Sequence, residues 1–276
     1  MNLKKVLLTN NDCYKSNIKI TPKGIMVHST GANNPNLSRY VQPDDGTIGV
    51  NKYGTHWNQP TPGGRQVCVH AFIGKLKDGS IATIQTLPWN IRGWHSGSGS
   101  KGSANRLEYI GFEICEDGLN DKAYFDKVYL EAVELCAFLC NEYKLSPMDN
   151  IICHSEGYKQ GIASNHGDVM HWFPKHGKNM DTFRKDVKNL MNKNNNKEQS
   201  NSISTKDKLY RVQVGAFSIK SNADKLANEL KSNGYSTYVI KVGNLYKVQV
   251  GAFSIRTNAT KLANELKSKG YSTFIV

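Results

Sequence analysis

Residues 210–240 and 246–276 are two copies of one unit, and this internal repeat constrains the fold more than any other feature of the sequence. The copies are identical at 23 of 31 aligned positions. Each begins with the alternating strand pattern Tyr-x-Val-Gln-Val, continues with a helical spacing of apolar residues and ends in a second strand. One such unit buries too little apolar surface to fold alone. The repeat therefore predicts a small α+β domain of βαββαβ order over residues 207–276, in which residues 241–245 join the units.

Local signals separate this domain from the rest of the chain. Ser221 and Asp224 have the spacing of a capping box at the start of the first repeat helix, and Gly234 marks the end of that helix. Upstream, residues 191–206 are almost wholly polar, rich in asparagine and serine, and without periodicity. This composition predicts a flexible linker between the repeat domain and a larger domain over residues 1–190.

Residues 1–190 carry the mixture of strand and helix patterns that is typical of an α/β domain. The longest helical pattern runs from Phe125 to Cys140, and a terminal amphipathic helix is predicted over residues 180–191. Strands are predicted over the segments 24–28, 67–74, 81–87, 109–115 and 150–154. We therefore expect a mixed central sheet with flanking helices. The six cysteines form no Cys-x-x-Cys pair, and we expect buried thiols rather than disulfides.

The charge and the apolar runs restrict the partners and the location of the protein. The formal net charge of +13 favours polyanionic partners, which include nucleic acid, anionic wall polymers and membrane surfaces. No segment approaches the roughly 18 apolar residues of a membrane span, and the apolar run near the N-terminus is too short for a signal peptide. We therefore expect a cytoplasmic protein without membrane insertion. The tyrosines and phenylalanines of the repeat have the pattern of strand core, so nucleic-acid binding through stacked bases is not expected.

All eight histidines lie in the first domain, and two of them end predicted strands. These two are His28 and His154, and Asp168 follows His154 by fourteen residues. Two neutral imidazoles and a carboxylate suit zinc and leave a fourth tetrahedral position for water. His166 and His171 lie on the same segment as Asp168 and remain alternatives to it as the third ligand.

Several motifs occur in an order that is typical of one family. They read "GIMVHSTG", "WHSG", "NRLEYIGFEICED" and, toward the end of the domain, "ICHSEGY" and "NHGDVMHW". Over residues 20–190 the chain resembles the type-2 N-acetylmuramoyl-L-alanine amidases, a zinc family that includes phage endolysins and peptidoglycan recognition proteins. The resemblance implies a mixed sheet with flanking helices and a hydrolytic active site.

The resemblance also implies a role for each matching residue. Zinc would be held by His28, His154 and Asp168, although the family's Asp-Pro-Gly at the third ligand reads Asp-Val-Met in this chain. Glu113 would be the general base, and His166 would stabilise the oxyanion of the tetrahedral intermediate. Three residues in or beside the glycine-rich segment 93–104 are predicted to contact glycan or peptide, namely Trp94, His95 and Asn105.

The paired Tyr-x-Val-Gln-Val-Gly-Ala-Phe units resemble a SPOR domain, a peptidoglycan-binding module. Residues 206–276 hold twelve Lys or Arg and four Asp or Glu, and this net charge of +8 fits an anionic wall. Together the resemblances predict a hydrolase that cleaves the amide bond between N-acetylmuramic acid and L-alanine. We expect a phage or prophage endolysin of a Gram-positive host, released from the cytoplasm by a holin. A host autolysin or sporulation amidase, and a non-catalytic peptidoglycan-binding protein, are the alternatives.

Overall fold

The computed structural model describes residues 1–204, 209–253 and 256–276, with the backbone alone described for residues 194–204. The chain divides into two units, Met1–Asn194 and Asn195–Val276, and each has its own apolar core. Within the described ranges, no helix has the length and apolar character that crossing a membrane requires.

Residues 1–204 alternate between strands and helices, as the sequence predicts. In chain order the elements are β1 (Leu3–Lys5), α1 (Asp12–Ser16), β2 (Gly24–Asn33), β3 (Ala71–Lys75), β4 (Ile81–Gln85), β5 (Tyr109–Glu116), α2 (Lys122–Tyr143), α3 (Pro147–Asn150), β6 (Ile151–Cys153), α4 (His154–Gln160) and α5 (Met180–Ser204). Short 3-10 turns lie at Leu37–Arg39, Pro62–Gly64 and Phe173–His176. The predicted strands and the two long helices are present, with ends shifted by five residues or fewer except at the C-terminal end of α5.

The strands of the first unit form one mixed sheet in the order β1-β4-β3-β5-β2-β6. β3 and β4 are antiparallel, and every other neighbouring pair is parallel. Residues of α2 and α5 form one core cluster with strand residues that include Val27, Phe112 and Cys153. The predicted mixed sheet with flanking helices is confirmed. Side chains alternate along a strand, so the face away from these helices is free to carry the polar residues of a site.

The polar segment 191–206, predicted as a flexible linker, is helical in the structure as far as Ser204. The segment contains no glycine or proline, so every residue can adopt helical backbone angles and extend the amphipathic helix that begins at Met180. Residues 205 and 206 of the predicted linker lie outside the described residues.

Cys13 and Cys68 form a disulfide, which contradicts the expectation that all the cysteines are thiols. The two residues are 55 positions apart in sequence, and the fold brings them together. Asn11 caps α1 by accepting a hydrogen bond from the backbone N–H of Cys13, and its Nδ2 donates to the carbonyl of Val67 at 3.0 Å. The cap therefore places the start of α1 beside the residue that precedes Cys68. The other four cysteines are buried and free, as expected.

The second unit is a four-stranded antiparallel sheet with two helices. Its elements are β7 (Tyr210–Phe217), α6 (Lys220–Ser232), β8 (Thr237–Val242), β9 (Leu245–Phe253), α7 (Arg256–Ser268) and β10 (Phe274–Ile275). The sheet order β10-β7-β9-β8 puts the first strand of each repeat at the centre and the second strand at an edge. One core cluster takes residues from both repeats, which explains why a single repeat cannot fold alone and confirms the predicted βαββαβ domain.

One local prediction for this unit is wrong, and a second gains detail. Ser221 lies inside α6, which begins at Lys220 without a side-chain cap, so the capping box is not formed. The predicted connection over residues 241–245 is a tight hairpin, because β8 and β9 continue until Val242 pairs with Leu245. In both places the regular element is longer than the sequence pattern indicates.

Two aromatic side chains of the repeats are exposed, where strand core was expected. Tyr238 on β8 and Phe274 on β10 occupy equivalent positions, and their exposed fractions are 72% and 68%. Both lie on edge strands. Each copy of the repeat therefore exposes one aromatic side chain to solvent.

Candidate metal and catalytic site

The sheet register places His28, Glu113 and His154 side by side on one face of the sheet. His28 on β2 is the registered neighbour of Glu113 on β5, and Val27 is registered with Cys153 on β6. Val27 and Cys153 belong to the core cluster under the helices. The residues that follow them, His28 and His154, therefore face the opposite side, where Glu113 also lies.

His154, the last residue of the predicted strand 150–154, begins a helix, α4. Gly157 lets this helix approach β2 closely, because an added Cβ there would lie 2.6 Å from Cε of Met26. The chain then returns past the start of α4, and the backbone N–H of Ser155 donates to the carbonyl of Asp168 at 3.2 Å. This return brings Asp168 next to His154.

His28, His154 and Asp168 form a tight cluster of potential metal ligands. Nδ1 of His28 lies 3.1 Å from Oδ2 of Asp168 and 3.1 Å from Nδ1 of His154, and the remaining separation, between Nδ1 of His154 and Oδ2 of Asp168, is 3.8 Å. Tetrahedral zinc, with bonds of roughly 2.0 to 2.2 Å, separates its ligand atoms by about 3.4 Å. Among the described residues these three form the one group with such geometry. The cluster can therefore hold a metal ion, and its donors fit zinc.

Burial and neighbouring charge prepare this cluster for a cation. Burial, followed by the charge of His28, lowers the pKa of His154 to about 4, so its imidazole is neutral at pH 7. Burial acts to raise the pKa of Asp168, but the neighbouring His28 and His154 outweigh it and lower that pKa below its usual value. Neutral imidazole and ionised carboxylate are the forms that bind metals.

The two alternative ligands have other partners. Nε2 of His171 pairs with Oε1 of Glu116 at 2.9 Å. His166 is exposed, its ring centroid lies 4.7 Å from that of His154, and its Nδ1 lies 3.2 Å from Oγ of Ser164. Neither residue belongs to the ligand cluster. His166 instead lies beside the cluster, where an oxyanion donor is predicted.

Glu113 stands next to His28 with one carboxylate oxygen unpaired. Its Oε2 is buried and has no hydrogen-bond partner in the described part of the chain. Burial, followed by the charges of Asp168 and Glu116, raises the pKa of Glu113 well above its usual value. A buried unpaired oxygen destabilises a fold by about 1 to 3 kcal/mol. Such an oxygen, on a carboxyl group whose pKa is raised, is suited to exchange a proton with a substrate or water molecule.

The ligand cluster opens into a cleft with a volume of about 900 Å³. Trp94 lines this cleft, together with Trp57 and Arg65, which lie in an irregular segment that no sequence motif marks. Asn105, predicted to contact substrate, is fully buried, and its Oδ1 accepts a hydrogen bond from the backbone N–H of His95 at 2.8 Å. Asn105 therefore supports the wall of the cleft rather than lining it.

His95 also lines the cleft, and both of its ring nitrogens have protein partners. Its Nδ1 lies 2.9 Å from Nε2 of His28, and its Nε2 lies 3.2 Å from the backbone carbonyl of Tyr109. Burial, followed by the charges of neighbouring histidines, lowers the pKa of His95 well below its usual value. The sequence motifs placed His95 in the groove, but no pattern indicates this contact with a ligand.

The second histidine ligand has a comparable partner that the sequence did not single out. Nε2 of His154 lies 3.3 Å from Oγ of Ser164, and this hydroxyl donates to the carbonyl of Ser96. Ser164 precedes His166 by two residues in an irregular segment, and no pattern distinguishes it from the other serines of the chain. Each histidine ligand is thus linked through one side chain to a backbone carbonyl.

The fold places a group of side chains that could hold a metal ion in a cleft on a mixed sheet, and comparison with known proteins gives the family. Residues 19–171, just over half of the chain, match the family described as N-acetylmuramoyl-L-alanine amidase. Residues 206–276 match the SPOR domain. The chain belongs to the N-acetylmuramoyl-L-alanine amidase family and carries a SPOR domain at residues 206–276.

Individual relatives resemble parts of the chain. The N-acetylmuramoyl-L-alanine amidase CwlA of Bacillus sp is 37% identical over 73 residues, which are 26% of this chain and 28% of CwlA. The chain thus spans less than a third of that curated relative in the match. The peptidoglycan binding domain of the B. subtilis cell wall lytic enzyme CwlC is 44% identical, with 25% of this chain and 86% of that domain covered and a TM-score of 0.24. The solution structure of the PlyG catalytic domain is 22% identical, with 69% of this chain and 96% of that domain covered and a TM-score of 0.47.

Proposed function

We propose that this protein is a zinc-dependent amidase that hydrolyses the bond between N-acetylmuramic acid and L-alanine in peptidoglycan. One observation carries the proposal: in the region that matches the amidase family, the cluster of His28, His154 and Asp168 lies beside the unpaired carboxylate oxygen of Glu113. Zinc held by the three ligands would polarise the scissile carbonyl and lower the pKa of water.

The neighbouring side chains have separate roles in this proposal. Glu113 takes a proton from the attacking water and delivers it to the departing nitrogen of L-alanine. Its raised pKa supports the second step, because the protonated form must persist until the amine leaves. His166, exposed beside His154, donates a hydrogen bond to the oxyanion, a type of contact whose loss typically costs on the order of 100-fold in rate. Trp94 contacts the glycan or the peptide from the wall of the cleft.

Digestion of purified peptidoglycan tests this reaction. The newly formed ends should be free α-amines of L-alanine, without new reducing sugars, when the fragments are separated and weighed by mass spectrometry. A chelator should abolish the release, and added zinc should restore it. New reducing ends would show a glycosidase, and an absence of any release by the zinc-loaded protein would favour the non-catalytic alternative.

The SPOR domain is proposed to hold the enzyme on its polymer. Its match to the SPOR family, its net charge of +8 and its two exposed aromatic side chains support binding to an anionic glycan. Tethering raises the concentration of the catalytic unit at the wall without a new contact in the active site. Co-sedimentation of the whole protein with insoluble peptidoglycan, at rising salt, measures this association and its charge dependence.

We further propose that the enzyme is an endolysin of a phage or prophage in a Gram-positive host, released by a holin. The motifs "GIMVHSTG" and "NRLEYIGFEICED" support this, because their amino-acid sequences resemble the corresponding motifs of endolysins. A host autolysin is the second candidate, favoured by the match to CwlA of Bacillus sp. Fractionation of producing cells separates the two. An endolysin stays with the cytoplasm until a pore-forming agent opens the membrane, whereas an autolysin is recovered from the wall of intact cells.

A further inference from the structure

His95 contacts a proposed zinc ligand through a hydrogen bond whose direction the structure determines. The chain of contacts begins at the backbone carbonyl of Tyr109, which can only accept. Nε2 of His95 lies 3.2 Å from that carbonyl oxygen and must therefore carry the hydrogen. In a neutral imidazole the other nitrogen, Nδ1, is then an acceptor. Nε2 of His28, 2.9 Å away, must be the donor to it.

This direction fixes the tautomer of His28. An imidazole whose single hydrogen is on Nε2 has a free lone pair on Nδ1, and this is the form in which histidine binds a metal through Nδ1. Nδ1 is the atom that lies 3.1 Å from both Oδ2 of Asp168 and Nδ1 of His154. The contact with His95 therefore directs the metal-binding nitrogen of His28 toward the other two ligand atoms.

The surroundings of His95 hold its ring in this position. Gly111 on β5 leaves the space that the ring fills, because a Cβ added there would lie 2.4 Å from Cγ and 2.5 Å from Nδ1 of His95. The backbone N–H of Gly111 donates to Nδ1 of His70, a fully buried residue whose Nε2 bonds the carbonyl of Ile91. Asn105 fixes the backbone of His95 from the other side. His95 is thus held by a glycine beside its ring, by a buried histidine bonded to that glycine and by a buried asparagine bonded to its own backbone.

We propose that His95 is a positioning residue, which selects the His28 tautomer that presents Nδ1 to the metal, rather than a residue that binds glycan or peptide. This inference rests on the proposed zinc site. His95 has no ring nitrogen left for a substrate, since both are engaged within the protein. Outer partners of metal-binding histidines typically alter metal affinity or activity by about 10- to 100-fold when they are replaced.

Zinc affinity of three full-length variants tests the proposal, measured by competition with a chromophoric chelator. His95→Leu keeps the volume but removes the acceptor, and we expect zinc to bind about 10- to 100-fold more weakly. His95→Asn keeps an acceptor close to the position of Nδ1 and should recover most of that loss. Gln66→Leu is the matched control, because Gln66 is an exposed residue that lines the same cleft, and its zinc affinity should equal that of the wild type. Equal affinity in the wild type and a folded His95→Leu variant overturns the proposal.

A spectroscopic measurement on the unaltered protein covers the case in which His95→Leu does not fold. Heteronuclear NMR of the zinc-loaded protein with nitrogen-15-labelled histidine identifies which ring nitrogen carries each hydrogen. We expect hydrogen on Nε2 of both His28 and His95, with the His28 proton protected from exchange. Coordination of His28 through Nε2 would overturn the inference while leaving the zinc site intact. Failure of the wild-type protein to bind zinc would instead overturn the proposed function.

Discussion

The two units of the molecule differ in how many polar side chains they bury. Among the described residues, thirteen of the fourteen buried polar or charged side chains belong to the first unit, and only Gln249 belongs to the second. The buried group of the first unit includes His28 and His154 together with their surroundings. The second unit has an apolar core built from both repeats, and it leaves Tyr238 and Phe274 in solvent.

This difference separates the proposed chemistry from the proposed binding. Burying polar groups costs free energy unless each finds a partner, so a unit that buries many of them is constrained by something other than stability. In the first unit that constraint is the geometry of the ligand cluster and of Glu113. The second unit contains no histidine and no cysteine. Its distinctive features, a net positive charge and two exposed aromatic side chains, lie on its surface. Catalysis is therefore expected to depend on the interior of one unit and wall binding on the exterior of the other.

The largest effect is expected from Glu113→Gln. The amide cannot accept the proton of water, so hydrolysis of peptidoglycan should fall by about 100- to 10,000-fold while zinc stays bound. Activity is read from the release of L-alanine amines, and metal content from mass spectrometry of the intact protein. Glu142→Gln, an exposed change on α2, is the control and should leave both unchanged. Wild-type hydrolysis by Glu113→Gln would remove this residue from the reaction.

The disulfide offers a way to disturb one unit without the other. Cys13→Ser opens a link across 55 residues and should lower the free energy of unfolding of the first unit by roughly 2 to 4 kcal/mol. The second unit, without cysteine, should unfold as before. Calorimetry with and without a reducing agent measures both transitions, and Cys136→Ser, a buried free thiol, controls for the loss of a sulfhydryl group. An equal effect of the reducing agent on both transitions would contradict this separation.

The sequence predicted the elements and most of the site, because those depend on local patterns and on motifs. His28, His154 and Asp168 follow from strand ends and from the family motifs, and the structure brings them together. The disulfide of Cys13 could not be predicted, since the pairing arises from a helix cap that contacts a distant segment. The burial of Asn105 could not be predicted for a similar reason: it depends on how the segment around Gly99 and Gly102 folds back on itself.

A smaller effect is expected from the exposed aromatic residues of the repeats. Replacing both Tyr238 and Phe274 with alanine should weaken co-sedimentation of the whole protein with peptidoglycan by about 10-fold or less. On insoluble walls hydrolysis should slow, because the tether no longer concentrates the enzyme. On a short soluble muropeptide the rate should not change. Slower hydrolysis of the soluble substrate would show that the second unit contributes to catalysis directly.

The smallest effect concerns the pH dependence of stability. The hydrogen bond that His171 makes to Glu116 raises the pKa of His171 above its usual value, although burial opposes it. A raised pKa in the folded state stabilises below the unfolded pKa of about 6.5, and this stabilisation is lost as the pH rises through the folded pKa. His171 is 37% exposed, so the effect should stay below about 1 kcal/mol. Melting temperatures of the metal-free protein should fall between about pH 5 and about pH 8, and the fall should be smaller in His171→Gln. Parallel curves for the two proteins would refute the contribution of His171.

Zinc content of the wild type, Asp168→Ala and His171→Ala tests the central claim most directly. Each protein is loaded with zinc, dialysed and weighed intact by native mass spectrometry, with circular dichroism to confirm folding. We expect one zinc per chain in the wild type and in His171→Ala, because His171 pairs with Glu116 outside the ligand cluster. We expect loss of zinc in Asp168→Ala. A folded Asp168→Ala that retains zinc, together with a His171→Ala that loses it, would contradict the ligand set on which the proposed reaction depends.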